Sequence, residues 1–221
     1  MPRGAIFDID GTLIDSVDAH AEAWQRAFAR HGYDIGFADL RSQIGKGGDQ
    51  LLPTFLSGEA LTRDGPKVDA AHGEIFKQAL LPHLTAFPGV RPLFQHLRDR
   101  GTRIALASSA KAEELDVYTE MAAVGDLIET ATSSADAEKS KPHPDIFAAA
   151  LARLDLPASQ VVVVGDSPYD AEAAGKIGLR TIGLLCGGFP EADLRAAGCI
   201  ALFADPADLL RRFDDSPLAG A

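Results

Sequence analysis

The chain is poor in cysteine, in positive charge and in long apolar runs, and each shortage removes a class of protein. Two cysteines stand among 221 residues, Cys186 and Cys199. They form no CxxC pair and match no zinc-ligand spacing. Neither a disulfide scaffold nor a zinc module is expected, only two buried thiols in a reducing compartment. Lysine and arginine number 21 against 32 aspartates and glutamates, a net charge of −11. Such a surface repels phosphate backbones and argues against a nucleic-acid partner; an anionic ligand would have to be held by charges placed locally. No apolar stretch approaches the roughly 20 residues that span a bilayer, so no membrane partner is expected. The first apolar run begins at Gly4, which leaves no room ahead of it for the parts of a secretory signal. A cytoplasmic protein is expected, a monomer or a weak homodimer. Neither an internal repeat nor a low-complexity tract is visible.

Hydrophobic residues make up 46% of the chain, enough for a sizeable core. Short apolar runs alternate with helical patterns. "GAIFD" (4–8), "RIALA" (103–107), "VVVVG" (161–165) and "RTIGLL" (180–185), with "CIALF" (199–203) as a further candidate, are apolar on successive residues, as strands covered on both faces are. Between them Val90, Leu93, Phe94 and Leu97 share one helical face, and Phe147, Leu151 and Leu154 share another. The alternation predicts an α/β fold, a Rossmann-like parallel sheet core with helices on both sides. It stops after the first strand. Val17, Ala21, Trp24 and Phe28 repeat at helical spacing, as do Val68, Ala71 and Ile75. "FADLRSQI" (37–44) and "GDQLLPTFL" (48–56) read as shorter helices, and "SGEALTRDGP" (57–66) as an exposed loop. The expected division is residues 1–15 and 87–221 for the core and 16–86 for an inserted all-helical unit.

In open parallel sheets, ligands bind beyond the carboxyl ends of the strands. The polar residues there are Asp8, Asp10 and Gly11 after the first strand, Ser108 and Ser109 after the second, and Asp166, Ser167 and Asp170 after "VVVVG". Lys141 stands just before a predicted helix start. On one sheet edge the carboxylates of Asp8, Asp10, Asp166 and Asp170 converge and repel, unless a divalent cation sits among them. Hard oxygen ligands favour Mg²⁺. The Ser108 hydroxyl, the Lys141 ammonium and the backbone N–H groups around Ile9–Gly11 would then hold phosphate oxygens. Any one of these alone reads as a turn, a helix cap or a surface lysine. The ordered set, with complementary charges, points to phosphoryl chemistry.

Taken in order, "DIDGTLIDS" (8–16), "ALASS" (105–109), "KPHPDIF" (141–147) and "GDSPYDAEAAGKIGL" (165–179) resemble the four motifs of the haloacid dehalogenase superfamily. The branch resembled is the one of phosphoglycolate-phosphatase-like and β-phosphoglucomutase-like members, with a small helical cap between the first two motifs. The resemblance implies an Mg²⁺-dependent phosphatase that hydrolyses a small phosphorylated metabolite, phosphoglycolate- or sugar-phosphate-like, through an aspartyl phosphate. Asp8 would be the nucleophile and Asp10 the general acid, then the general base. Ser108 would bind the phosphoryl group and Lys141 would neutralise charge. Asp8, the backbone carbonyl of Asp10, and Asp166 would ligate Mg²⁺, with Asp170 a ligand or the holder of a metal-bound water. The superfamily's dehalogenases lack the second Asp, so Asp10 points to phosphate esters.

Residues 16–86 would be the cap, hinged near 12–15 and 85–89. In it "IGKGGDQ" (44–50) resembles the family's substrate-facing loop, which makes Lys46 a candidate contact. His20 stands where some relatives place a residue near the leaving group. Gly11, Ser108 and Ser109 complete the candidate substrate-binding set, and Trp24 and Phe28 are expected in the cap's core. β-Phosphoglucomutase carries an arginine shortly after the K-G pair of that loop, where it holds a second phosphate. Here the loop continues "GGDQLL", which favours hydrolysis over the alternative of a β-phosphoglucomutase-like phosphomutase. A non-catalytic phospho-ligand binding protein, the other alternative, would be expected to have lost Asp8 or Asp10, and both are present.

Overall fold

A strand that is apolar at every position needs cover above and below. The computed structural model describes residues 2–220. Among them six parallel strands form one sheet: β1 (Gly4–Phe7), β2 (Arg103–Ala107), β3 (Thr130–Thr132), β4 (Val161–Gly165), β5 (Arg180–Leu184) and β6 (Cys199–Phe203), in the order β3-β2-β1-β4-β5-β6. All residues of β1 and β4 are buried. β1 lies between β2 and β4, with Phe7 paired to Leu106 on one side and Val164 on the other.

Four helices follow β1 before the α/β pattern resumes: α1 (Val17–Arg30), α2 (Phe37–Arg41), α3 (Gly48–Phe55) and α4 (Gly58–Ile75). α4 continues into a π-helical turn over Phe76–Leu80 and a 3₁₀ turn over Leu81–His83. The α/β alternation then resumes with α5 (Val90–Asp99) before β2 and α6 (Ala112–Met121) after it. α7 (Asp145–Leu154) links β3 to β4, α8 (Pro168–Gly175) links β4 to β5, α9 (Glu191–Ala196) links β5 to β6, and α10 (Pro206–Arg211) follows β6.

Successive residues of β1 enter opposite layers, as a period of two requires. Ala5 and Phe7 join Val162, Val164, the inner face of α5 and Leu209 of α10. The Phe7 and Phe94 rings lie 4.6 Å apart. Ile6 joins Val163, Ile146 and Phe147 of α7, and Ala173 and Ala174 of α8 on the other face. The helical segment between β1 and β2 leaves and re-enters the core at one place. Ile14 pairs antiparallel with Ala86, the Asp15 N–H donates to Thr85 O at 3.0 Å, and the Phe87 N–H donates to Leu13 O at 2.8 Å.

Two expectations need correction. The expected loop at 57–66 is the first half of α4, which carries Gly65 and Pro66 in its interior. Gly65 is buried, and Val68, Ala71 and Ile75 pack into the same apolar cluster as Ala21, Trp24 and Phe28 of α1. That burial overrides local breakers that cost roughly 1 kcal/mol for glycine and about 3 for proline. Strand β3 carries no apolar run that sequence reading could detect. It is three residues long, "TAT", and it is held to β2 partly through Thr132 Oγ1, which donates to Leu106 O at 3.2 Å. Of the two thiols, Cys199 is buried as expected but Cys186 is only half-buried; neither forms a disulfide. Among the described residues no helix is long and apolar enough to cross a membrane.

The Phe7–Phe94 contact joins the central strand to its helical cover. Phe94→Ala should destabilise the protein by about 3–5 kcal/mol, read as a lower urea midpoint with an unchanged slope.

Candidate active site

β1 and β4 flank the point where the strand order reverses, the usual crevice of such sheets. Asp8 immediately follows β1 and Asp166 immediately follows β4. The Asp8 N–H still donates to Val164 O at 2.9 Å, so the ladder itself fixes where the carboxyl emerges. Asp170 is delivered by the start of α8. Its Oδ2 accepts from the Ser167 N–H at 3.0 Å and from Ser167 Oγ at 2.7 Å, a reciprocal cap with Pro168 in the helix's first turn. Its other oxygen, Oδ1, lies 2.8 Å from Lys141 Nζ. Lys141, 1% exposed, also donates to Asp8 Oδ1, and its ammonium stands 5.0 Å from the Phe147 ring centroid.

Carboxylate oxygens of Asp8, Asp166 and Asp170 all lie within 4.8 Å of one another. Burial, reinforced by Asp170 and Asp10, pushes the Asp8 carboxyl up to about 7 against the pull of Lys141. Burial, then Asp8 and Asp170, raises Asp166 well above the carboxylate range. Burial works to strip Lys141 of its proton, but Asp170 and Asp8 outweigh it and hold the ammonium above its ordinary value. Three carboxylates face one ammonium, so two negative charges are left over when all ionise. Thr12 sharpens the imbalance. Its single hydroxyl lies 3.0 Å from Asp166 Oδ1 and 3.2 Å from Asp8 Oδ2, and one proton cannot serve both. A divalent cation fits this all-oxygen set in charge and in hardness.

Asp10 corrects the expectation of four converging carboxylates. Its side chain turns to the helical segment, where Oδ1 accepts from Ser16 Oγ at 2.7 Å and meets His20 Nε2 at 3.0 Å. It is not among the clustered carboxylates of Asp8, Asp166 and Asp170. Burial works to raise the Asp10 carboxyl, but the charge and hydrogen bond of His20, with Ser16, hold it below its ordinary value. His20 has both ring nitrogens engaged, Nε2 by Asp10 and Nδ1 by His72 Nε2 at 3.3 Å. Gly11, expected as a substrate contact, is bonded within its own turn. Its N–H donates to Ile14 O at 2.8 Å. What requires glycine there is a φ of +82° and the approach of Asp166 Oδ2, which a Cβ would overlap.

A cavity of about 340 Å³ opens beside these groups. Asp8, Asp10, Ser109 and Lys141 form its floor, and His20, Lys46 and His72 belong to the helical wall. Lys46 Nζ is 2.5 Å from Gln43 Oε1 and 4.6 Å from the Tyr169 ring centroid. Ser108 is fully enclosed, with its Oγ accepting the Ala110 N–H at 3.0 Å, and it is Ser109 that faces the cavity. The two sides are joined across the mouth, where the Ser140 N–H donates to Asp49 Oδ2 at 3.1 Å and Tyr169 Oη donates to Ser42 O at 2.7 Å. Sequence reading assigned no role to Thr12, Ser16, His72 or Gly187. The first two sit inside the quoted "DIDGTLIDS" and were within reach. Gly187, whose Cβ would overlap Asp166 Oδ2, and His72 carry no local signal.

Residues 5–184 match the family model described as Haloacid dehalogenase-like hydrolase. A phosphoglycolate phosphatase of Cereibacter sphaeroides is 31% identical over 221 residues, which covers 94% of this chain and 97% of the relative. A validoxylamine A 7'-phosphate phosphatase of Streptomyces hygroscopicus subsp. limoneus is 28% identical over 187 residues, covering 83% of this chain and 86% of the relative. Among solved structures, a hydrolase from Pseudomonas syringae superposes with a TM-score of 0.88 at 26% identity, over 96% of this chain and 98% of that one.

Two measurements test the acidic cluster. A cation must displace the protons that burial favours on Asp8 and Asp166, so divalent-cation affinity should climb as pH rises through about 7, in calorimetric titrations over a pH series. Gly187→Ala should push Asp166 out of place and weaken that binding by about 10–100-fold, with an unchanged far-UV circular dichroism spectrum.

Proposed function

From the premise that the chain belongs to the haloacid dehalogenase-like hydrolases, we propose that it is a magnesium-dependent phosphatase of small phosphorylated metabolites. One observation carries this reading: a buried carboxyl, Asp8, is held at the switch point between Lys141 and Thr12, with Asp10 turned to a different set of partners beside the same cavity. Relatives named as phosphatases over nearly their whole length support it.

Asp8 attacks phosphorus through its carboxylate. The Oδ–P bond forms as the ester P–O bond breaks, and Asp10 gives its proton to the departing oxygen. Water then attacks the aspartyl phosphate. Asp10 takes back a proton, and Asp8 is released with phosphate. Lys141 keeps Asp8 oriented and offsets charge on the phosphoryl oxygens, and the Ser108–Ser109 turn flanks them. Mg²⁺ would be held by Asp8, Asp166 and the Asp10 carbonyl, with Asp170 direct or through water, and would draw negative charge from the phosphoryl group. Residues 16–86 act as the cap that excludes bulk water and selects the leaving group. No arginine is among the residues lining the cavity, which supports hydrolysis over transfer between two positions of a bisphosphate.

Phosphate release from a panel of phosphorylated metabolites with Mg²⁺ tests the reading. Asp8→Asn should lower turnover by at least about a thousandfold. Asp10→Asn should do the same while cation binding stays within about threefold of wild type, because its side chain is not a ligand. Full turnover by Asp8→Asn would sink the covalent route, and release of an isomer without free phosphate would show a mutase instead.

A further inference from the structure

The turn that follows β5 is crowded from two sides. It runs through Leu185–Gly187 as a single 3₁₀ turn and ends at Gly188, whose φ is +80°. A Cβ on Gly187 would overlap Asp166 Oδ2, and a Cβ on Gly188 would overlap the guanidinium of Arg41. Asp166 belongs to the acidic cluster, and Arg41 ends α2 in the helical segment. Only the main chain of two glycines stands between them. Arg41 Nη2 donates to Gly187 O at 3.1 Å and Nη1 to Gly188 O at 3.5 Å, while Nε donates to Asp18 Oδ1 at 2.6 Å. The reaction above leaves Arg41 without a role.

We propose that Arg41 is a positioning residue for the cation site: by holding the carbonyls of Gly187 and Gly188 it keeps their turn packed behind Asp166, so that the acidic cluster is fully set only while the helical segment is seated on the sheet's edge. The proposal rests on the cation-dependent phosphatase reading and deepens it.

Asp166 needs support from behind. Asp8 and Asp170 crowd it with like charge, and the Thr12 hydroxyl that reaches its Oδ1 is contested by Asp8. Behind its Oδ2 stand Gly11 and Gly187, neither with room for a side chain. Gly11 is fixed by its own bond to Ile14. The turn at 185–188 has less to hold it. Two successive glycines have no side chains to pack and the widest choice of backbone angles. Its own ties are the Gly188 N–H to Leu185 O at 2.9 Å and the Cys186 thiol, a weak donor, to Gly11 O at 3.2 Å. Arg41 adds a charged donor. A planar guanidinium serves two successive carbonyls at once, and bonds from a charged donor are about twice as strong as neutral ones. Asp18 steadies the guanidinium from its other edge.

The same stretch bears on Asp170. Four residues after Arg41, a Cβ on Gly45 would come within 2.7 Å of Ser167 Oγ, the hydroxyl that donates to Asp170 Oδ2 at 2.7 Å. Residues 41–45 therefore touch the supports of both late acids. The coupling runs both ways: if the seated segment raises cation affinity, a bound cation favours the seated segment by the same factor.

The test is calorimetric titration of Mg²⁺, without substrate, into wild type, Arg41→Ala, Arg41→Lys and Tyr169→Phe. Arg41→Ala should weaken Mg²⁺ binding by about 10–100-fold. Removing a positive charge would by itself favour Mg²⁺, so a loss reports the turn and not the charge. Arg41→Lys, which reaches one carbonyl at a time, should recover part of the loss. Tyr169→Phe removes a different bond between the two parts of the chain, Tyr169 Oη to Ser42 O, and should leave Mg²⁺ affinity within about twofold of wild type. Adding Arg41→Ala to Gly187→Ala, where Asp166 is already displaced, should cost much less than Arg41→Ala alone. Without Mg²⁺, amide exchange at Gly188 should speed up by about tenfold in Arg41→Ala and keep the wild-type rate in Tyr169→Phe. Wild-type Mg²⁺ affinity in Arg41→Ala, an equal loss in Tyr169→Phe, additive losses with Gly187→Ala, or unchanged exchange at Gly188 would overturn the proposal. A wild type that takes up no Mg²⁺ would instead overturn the cation-dependent reading beneath it.

Discussion

An ammonium shut away from water between two carboxylates is the contact on which the rest of this site depends. Lys141 could not stay charged in the core without Asp8 and Asp170, and they could not sit so close without it. Each member is tied to a different part of the fold. Asp8 is held by the β1–β4 ladder, Asp170 by the first turn of α8, and Lys141 by the turn that leads into α7. The ion group therefore fixes the sheet's carboxyl edge to the helices on one of its faces. It also leaves the excess negative charge that makes a cation welcome.

The two acids of the first motif live in opposite surroundings although one residue separates them. Asp8 faces two other carboxyls in the core, and burial raises it. Asp10 faces an imidazole and a hydroxyl, and these outweigh its burial. These shifts run opposite to the roles proposed above: Asp8 must lose its proton before it can attack, which a cation beside it would promote, and Asp10 must take one up before it can give it away. The sheet supplies the first environment, and α1 with the residue just before it supplies the second. Asp10 is thus the point at which the helical segment meets the acidic edge of the sheet.

Much of this could be read from the chain. Unbroken apolar runs located five of the six strands, because a strand covered on both faces writes that fact into consecutive residues; the edge strand β6 keeps such a run although Ile200 is exposed. Strand β3 escaped because three residues at a sheet edge need no such run. The first half of α4 escaped because Gly65 and Pro66 argue locally for a loop, while burial beside α1 argues more strongly for a helix. Asp8, Asp166, Asp170 and Lys141 were legible because each immediately follows a strand or stands near a helix start. His72 was not, since its partner lies 52 residues away and a lone histidine on a helix announces nothing.

The sequence by itself determined the parallel sheet, the helical insertion and the row of acids at one edge. Those follow from hydrophobic continuity and from chain order, which are local properties. Only the tertiary structure decided which way each acid turns. It sent Asp10 to His20 and not to the other carboxylates, spent the Gly11 N–H on Ile14, and set Gly187 against Asp166. The physical reason is that a side chain's direction and charge are set by the neighbours it meets in space, and those neighbours come from residues far apart in the chain.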